Sequence, residues 1–372
     1  MSKVNKTIFI WTLVTGLFFS ITSAYAGKDL DINLGFQARY DDNIFSDDTN
    51  EKEDLLNTFS LGVKKKMEAK YYFLYIDANI AENVYLDNSE LTNVSEAFSV
   101  QYKTDLSQNM RVSVREAFSH KKEIEEPYDA LGKDAGLYSR YNNSLSINGE
   151  WDLNKNLRVE ITYTNSLNYV SRERDSDSVL HKVKLNGTYF FSSKSILSTA
   201  FESSVRSYNP GGSVDQHSLF STYRYYYTPQ LYSDIGFGLD YVNHVKSEIK
   251  PLFFTVLTQE IDEQTALSLS LKKEQSAQTY SEDIYERWEG AFSYNKQLSE
   301  KVKAAASIYV GTGEFSSGIA EDTLSGVNAR ILYDLQENIQ LNAGYAFRMN
   351  KSNINSREYT GNTVSVGCTV KF

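Results

Sequence analysis

Beyond its first segment, the chain alternates apolar and polar side chains with a period of two. Tyr72, Leu74, Ile76, Ala78 and Ile80 share one face; so do Leu157, Val159, Ile161 and Tyr163, then Leu267, Leu269 and Leu271, and then Ile339, Leu341, Ala343, Tyr345 and Phe347. The last segment, Tyr359 to Phe372, sets Val364, Val366, Cys368, Val370 and Phe372 against Thr363, Ser365, Gly367, Thr369 and Lys371. A two-residue period places one set of side chains on each face of a strand. About eighteen such segments can be counted, sixteen if two weakly alternating ones near Leu56 and Leu252 are dropped. They begin near Leu30, Leu56, Tyr71, Val94, Arg111, Tyr141, Leu157, Val179, Ile196, Ser218, Leu231, Leu252, Ala266, Ile284, Val302, Thr323, Ile339 and Thr360. The four prolines, Pro127, Pro210, Pro229 and Pro251, fall between segments or at an edge, where a missing ladder donor is tolerated.

The segments are joined in two different ways. Tyr102, Trp151, Tyr294 and Tyr333, with the variants Tyr189 and Tyr227, each end a run on its apolar face and are followed by a short polar turn, as in Trp151-DLNKNL. The intervening connections are longer and more polar, above all Asp41 to Asp54 and Ser119 to Arg140. Tyr40, Phe118, Tyr169, Tyr241 and Phe347 end the runs that lead into them. Short turns at one rim, longer loops at the other and aromatic girdles at both describe a transmembrane β-barrel. The expected fold is therefore all-β: an antiparallel transmembrane β-barrel of about 18 strands, with short periplasmic turns and longer extracellular loops. An edge strand of a soluble sandwich would share the alternation, but a sandwich has no reason to repeat an aromatic at the end of strand after strand.

The amino-terminal segment carries Lys3 and Lys6, an apolar run from Ile8 to Ile21, and Ala24-Tyr25-Ala26. This is the pattern of an export signal cleaved after Ala26. The expected organisation is a signal peptide over 1–26 and one outer-membrane barrel domain over 27–372. No later stretch reaches the roughly 18 apolar residues that a membrane helix needs, so membrane integration falls to strands. The lone cysteine, Cys368, has no partner for a disulfide. Net charge is −10, and −12 without Lys3 and Lys6, which argues against nucleic acid as a partner.

The polar face of a wide barrel lines water, so its chemistry sets the selectivity. On this register the inward basic positions include Arg39, Lys103, Arg111, Arg115, Arg158, Lys182, Lys184, Arg206, Arg224, Arg287, Arg330 and Arg348. Lys64, Lys272, Lys303 and Lys371 join them, against fewer inward acids, Asp77, Glu150, Glu160, Glu202, Asp234, Asp240, Glu289 and Asp334 among them. A net-basic wall would favour anionic or polyhydroxylated solutes; alternatively, the charges pair across strands. Tyr71, Phe73, Tyr75, Tyr232, Tyr285 and Tyr309 could offer faces to sugar rings or pack among wall side chains. Glu116 and Glu286 fall on the lipid-facing parity, tolerable near the exterior interface. Within the long loop from Ser119, the charges Lys121, Lys122, Glu123, Glu125, Glu126 and Asp129 would form a constriction if the loop folded inward.

Asp41, Asp42, Asp47, Asp48, Glu51, Glu53 and Asp54 make an acidic stretch without the glycine turn and ligand spacing of a calcium loop, so a solvated acidic loop is expected and no metal. The histidines His120, His181, His217 and His244 lie on separate segments, and no GxSxG or HExxH element is present. The expectation is a protein that is not an enzyme and carries no cofactor.

The segment Gly35-Phe36-Gln37-Ala38-Arg39-Tyr40-Asp41-Asp42-Asn43-Ile44-Phe45 resembles the opening of the putative β-barrel porin 2 family. That resemblance implies an outer-membrane channel serving exopolysaccharide or capsule export, with separate periplasmic export components delivering the polymer. A general uptake porin and a non-conducting surface barrel, adhesin or polysaccharide-anchoring lectin, remain the alternatives. Outer-membrane lipid, lipopolysaccharide and the barrel-assembly machinery are the other expected partners, and Phe372 resembles the terminal aromatic that this machinery recognises. Removing Phe372 is expected to impair assembly before conduction, seen as loss of the heat-modifiable band on electrophoresis; a normal yield of that band would refute the assignment.

Overall fold

In the computed structural model, residues 30–123, 138–171, 176–243, 247–278, 283–318 and 320–372 are described. The expected signal segment with Ala26, and Glu125, Glu126, Asp129 and His244, lie outside them. Eighteen strands follow one another in chain order: β1 Leu30–Asp41, β2 Asp54–Glu68, β3 Tyr72–Tyr85, β4 Asn93–Ser107, β5 Met110–Glu123, β6 Tyr138–Asn154, β7 Leu157–Val170, β8 Asp177–Ser192 and β9 Ser195–Asn209. The second half comprises β10 Ser213–Thr228, β11 Leu231–Asn243, β12 Ser247–Asp262, β13 Thr265–Ala277, β14 Ile284–Gln297, β15 Val302–Phe315, β16 Glu321–Gln336, β17 Ile339–Ser352 and β18 Tyr359–Lys371. Each strand pairs antiparallel with its neighbours, and β1 pairs with β18, so the sheet is a closed barrel.

The short turns owe their form to local polar chemistry. The register shifts by one residue at Asp105/Ser107, Asp152/Asn154, Phe190/Ser192, Tyr226/Thr228, Glu260/Asp262 and Asp334/Gln336, always beside a two-residue turn. In five of these the side chain opening the turn accepts the backbone N–H two residues on: Ser107 from Asn109, Asn154 from Asn156, Ser192 from Lys194, Thr228 from Gln230 and Asp262 from Gln264. A small polar residue thus supplies the acceptor that reverses the chain.

Cross-strand partners share a face, which fixes every side chain's side of the wall. Phe36 opposite Phe59, Leu61 opposite Ile80 and Leu341 opposite Cys368 lie outside. So do Tyr102, Tyr189, Tyr227, Tyr333 and Phe372, all well exposed at the turn rim. The buried apolar residues instead gather near the loop rim: Ile44, Leu56, Tyr85 and Leu91; Tyr285, Phe315 and Ala320; and Tyr208, Val214, Val242 and Ile284. At mid-strand, inward residues such as Gln101, Ser113, Ser146 and Thr164 are only half-buried. Among the described residues the barrel therefore has no central apolar core.

Three boundaries differ from the alternation. β10 starts at Ser213 and β12 at Ser247, each five residues ahead of the expected Ser218 and Leu252. Their outward rim positions, Asp215, His217 and Ser247, are polar, so the period fades while the ladder continues. Likewise Lys121, Lys122 and Glu123 belong to β5, paired with Arg140, Ser139 and Tyr138, and are not part of a constriction loop.

The seam between β1 and β18 is fastened by the last residue of β1 and the two that follow it. Asp41 accepts Arg348 Nη2 at 2.7 Å and Thr363 Oγ1 at 3.2 Å. Asp42 accepts the Asn362 backbone N–H at 2.6 Å and its Nδ2 at 2.8 Å. Asn43 donates from Nδ2 to the Thr360 carbonyl at 2.8 Å and to that of Asp47 at 2.7 Å. Asp54, 1 % exposed, accepts the N–H groups of Leu86, Asp87 and Asn88. The solvated acidic loop expected from the sequence is thus corrected at Asp41 and Asp54: a carboxylate with several aligned donors is held inside, because bonds to a charged acceptor offset its desolvation. Asp42→Ala is expected to cost roughly 1.5–3 kcal/mol, the range for hydrogen bonds to a charged group, read as an earlier midpoint in urea unfolding of the reconstituted barrel.

Candidate functional site in the barrel lumen

Every basic residue placed inward from the sequence lies on the inner face by register, and many are held by acids on the next strand. Arg111 pairs with Asp152 at 2.7 Å and also with Glu150; Arg158 contacts Asp152 at 2.7 Å and Glu150 at 3.4 Å. Two arginines and two carboxylates thus form one cluster at the turn end of β5–β7. Arg224 grips Asp234 with two parallel bonds of 2.6 and 2.8 Å and lies 4.9 Å over the Tyr232 ring. Lys182 reaches Glu202 at 3.3 Å, Arg287 reaches Glu274 at 2.7 Å, and Arg348 reaches Asp41.

The remaining cations are less committed. Arg206 donates to Ser178 Oγ at 3.1 Å. Lys103 sits 5.8 Å from the Phe73 ring centre. For Arg39, Lys103, Arg115, Lys184 and Arg330, no carboxylate lies within ion-pair distance among the described residues. Between the ion pairs run amides and hydroxyls bonded across strands, Asn148 to Thr162 at 2.8 Å and Thr188 to Ser198 at 3.0 Å among them.

The aromatic residues divide. Phe73 and Tyr75 stack at 6.4 Å between ring centres, and Phe73 lines a cavity of about 430 Å³ at the turn rim with Lys103, Arg111, Asn148 and Glu150. Tyr71 stands in the turn before β3, on that cavity's edge. Tyr232 is covered by Arg224. Tyr309 lies over Gly326, whose missing side chain leaves room for the ring, and Tyr285 lies over Gly313 with 6 % exposure. Tyr285 is therefore a packing residue and presents no face to a solute.

A second lumen cavity, also about 430 Å³, has a wall of small residues: Ser293, Ala305, Ser307, Gly344, Ala346 and Ser365, with Arg330 beside them.

Two segments close in on the loop-rim mouth, and the sequence marked neither. The first loop turns inward, with Ile44 packed on Leu56, Tyr85 and Leu91. On the far side Tyr208 Oη donates to the Gln278 carbonyl at 2.6 Å, drawing the end of β13 toward β9. The sequence signal for the first was Ile44-Phe45 inside an acidic run, an apolar pair with no alternation to place it. The two lipid-parity acids both have partners: Glu116 accepts Asn143 Nδ2 at 3.3 Å, and Glu286 holds Lys273 at 2.6 Å and Lys250 at 2.7 Å.

Residues 288–372 match the model of a family described as putative beta-barrel porin 2, the family whose opening the first strand resembles. No curated protein matches the chain in sequence. Among solved structures, OpdK of Pseudomonas aeruginosa is similar with a TM-score of 0.55 at 10% identity, over 92% of this chain and 99% of that one. OccAB4 of Acinetobacter baumannii is similar with a TM-score of 0.53 at 12% identity, over 93% and 99%. The fold is that of porin-like outer-membrane β-barrels.

Asp152 neutralises two arginines at once, so Asp152→Asn is expected to shift the zero-current potential in a salt gradient toward anion preference, with barrel yield preserved because Glu150 still holds both guanidinium groups.

Proposed function

We propose that the chain forms a passive, water-filled channel in the outer membrane that serves exopolysaccharide or capsule export. The observation that carries this is the inner wall at mid-barrel: partly exposed ion pairs, amides and hydroxyls, with no packed apolar core across it among the described residues. Such a wall exchanges hydrogen bonds with water and with sugar hydroxyls at little net cost. An eighteen-stranded barrel is also wide enough to hold solvent beyond its own side chains.

The cavity at the turn rim supports polymer entry from the periplasm, since Phe73 offers a ring face while Lys103 and Arg111 offer donors. With most arginines balanced, the residual positive charge rests on residues such as Arg39, Lys103, Arg115, Lys184, Lys303, Arg330 and Lys371. It favours anionic glycans modestly, because rings of basic side chains select anions. The signal peptide ending at Ala26 directs export, the assembly machinery inserts the barrel among outer-membrane lipid and lipopolysaccharide, and periplasmic export components supply the polymer. No catalytic step is needed.

A second reading, uptake of small solutes, is favoured by the narrowed mouth, where the first loop and the end of β13 lean inward. Planar-bilayer recording separates the readings. Export predicts stable conductance, mild anion preference, and current block by an acidic oligosaccharide added on the turn side, relieved in Lys103→Ala. Brisk liposome swelling with small neutral sugars and no block would favour uptake, and no conductance at all would leave a surface barrel.

A further inference from the structure

One stretch of the wall is not knitted. Pairing of β11 with β12 runs to Asn243 and Ser247, and pairing of β13 with β14 runs to Ala277 and Ile284. Pairing of β12 with β13 stops at Phe253 and Lys273. Ser247 to Leu252 and Glu274 to Ala277 therefore face one another without a ladder. Pro251 has no N–H to offer there, and Gln275 Nε2, opposite it in register, is buried without a partner.

The contacts around this gap cross from one face of the wall to the other. Lys250 is inward by its pairing with Asp240, whereas Glu286 is outward by its pairing with Gln275. They meet at 2.7 Å although β13 lies between their strands. That requires the described start of β14, at Ile284 to Glu286, to lean into the barrel past the end of β12. Ile284 bears this out: outward by parity, it is buried against the inward residues Val214 and Val242. The result is a slot in the wall, β12 on its outer lip and β13 on its inner lip, filled by Glu286 with Lys250 on one side and Lys273 on the other.

The lumen beside the slot is apolar where most of the mid-barrel wall is polar. Leu252, Phe254 and Val256 are successive inward residues of β12, and Phe220 stacks on Phe254 at 5.7 Å. Outside the slot lie Ile249, Pro251, Phe253 and Trp288, with Ile249 67 % exposed. An apolar track thus joins lumen to lipid-facing surface, interrupted among the described residues by Glu286 between Lys250 and Lys273, by Glu248 at 3.4 Å from Lys250, and by Gln275. Hydrocarbon surface on a wet wall is costly unless something apolar uses it.

We propose that this slot is a lateral portal for a single-chain amphiphile with an anionic head, carboxylate or phosphate, and that Glu286 is its latch. The ligand's head takes the place of Glu286 on Lys250 and Lys273, the inward-leaning start of β14 at Ile284 to Glu286 is released, and the apolar chain passes along Phe254 and Leu252 between lumen and bilayer. The proposal rests on the barrel spanning a bilayer and is independent of what polymer the channel carries.

Trp288 reports on the slot from outside, 5.6 Å from Lys273 Nζ. In the full mature barrel carrying Trp151→Phe and Cys368→Ser, bromine-labelled dodecanoate or dodecyl phosphate is expected to quench Trp288 saturably, the tighter of the two identifying the head. The equally labelled dodecyltrimethylammonium is expected to quench only by partitioning, without saturation. Lys250→Ala is expected to weaken saturable quenching about tenfold, the loss of one charge-assisted contact, and Glu286→Gln to strengthen it. Adding Pro251→Cys and Gln275→Cys places a disulfide across the slot. Oxidation is expected to abolish saturable quenching and reduction to restore it in the same sample, with heat-modifiable mobility unchanged. Equal quenching by the cationic probe, or quenching indifferent to the disulfide, overturns the portal. Planar-bilayer conductance of the same variant tests the bilayer-spanning premise separately.

Discussion

The barrel depends on one constraint, that a backbone amide in hydrocarbon must be paired. An unpaired peptide group there costs several kcal/mol, which a sheet avoids only by having no edge. Seventeen hairpin ladders can form one after another from local turns, but the pairing of β1 with β18 joins residues separated by almost the whole chain. Its closure entropy has no local compensation. This is where the chain places charge-assisted bonds from Asp41 and Asp42 to Arg348, Asn362 and Thr363, with a neutral one from the Asn43 amide to the Thr360 carbonyl. The acidic stretch that resembles a family signature is a fastening.

The same constraint explains which features could be read from the sequence. Once an outward aromatic such as Trp151 anchors a strand, parity alone assigns Arg158 and Glu160 to the lumen and Val159 to the outside, and the structure agrees. The strand count and the turns follow from the same rule. Legibility ends at the loop rim, where outward residues meet headgroups or water and need not be apolar. Ser213, Ser247 and Lys121 to Glu123 continue their strands with no alternation to betray it. Asn43 and Asp54 are fixed by contacts with residues far along the chain, and no local pattern reports a long-range hydrogen bond.

Within the lumen, the charge count of the wall was legible but its field was not. Asp152 between Arg111 and Arg158, or Asp234 under Arg224, cancels at short range what a tally of lysines and arginines adds. The Asp152 pairs are partly exposed, where an ion pair is worth under about 1 kcal/mol, so they shape the surface more than they stabilise it, whereas Asp234 is buried under Arg224. The ring and glycine partnerships, Tyr309 on Gly326 and Phe220 with Phe254 over Gly236, set where the wall is thick. Side-chain volume, placed strand by strand, gives the channel its bore.

The fastening at the seam also carries information about time. Its two halves are made far apart in synthesis: Asp42 emerges 320 residues before its partner Asn362. Until the final hairpin arrives, the early acids lack their donors and the first strand keeps an exposed edge. A chain interrupted anywhere in between would present that edge and those unpaired carboxylates together. The seam therefore satisfies the edge of β1 and its carboxylates together, and only once β18 is in place.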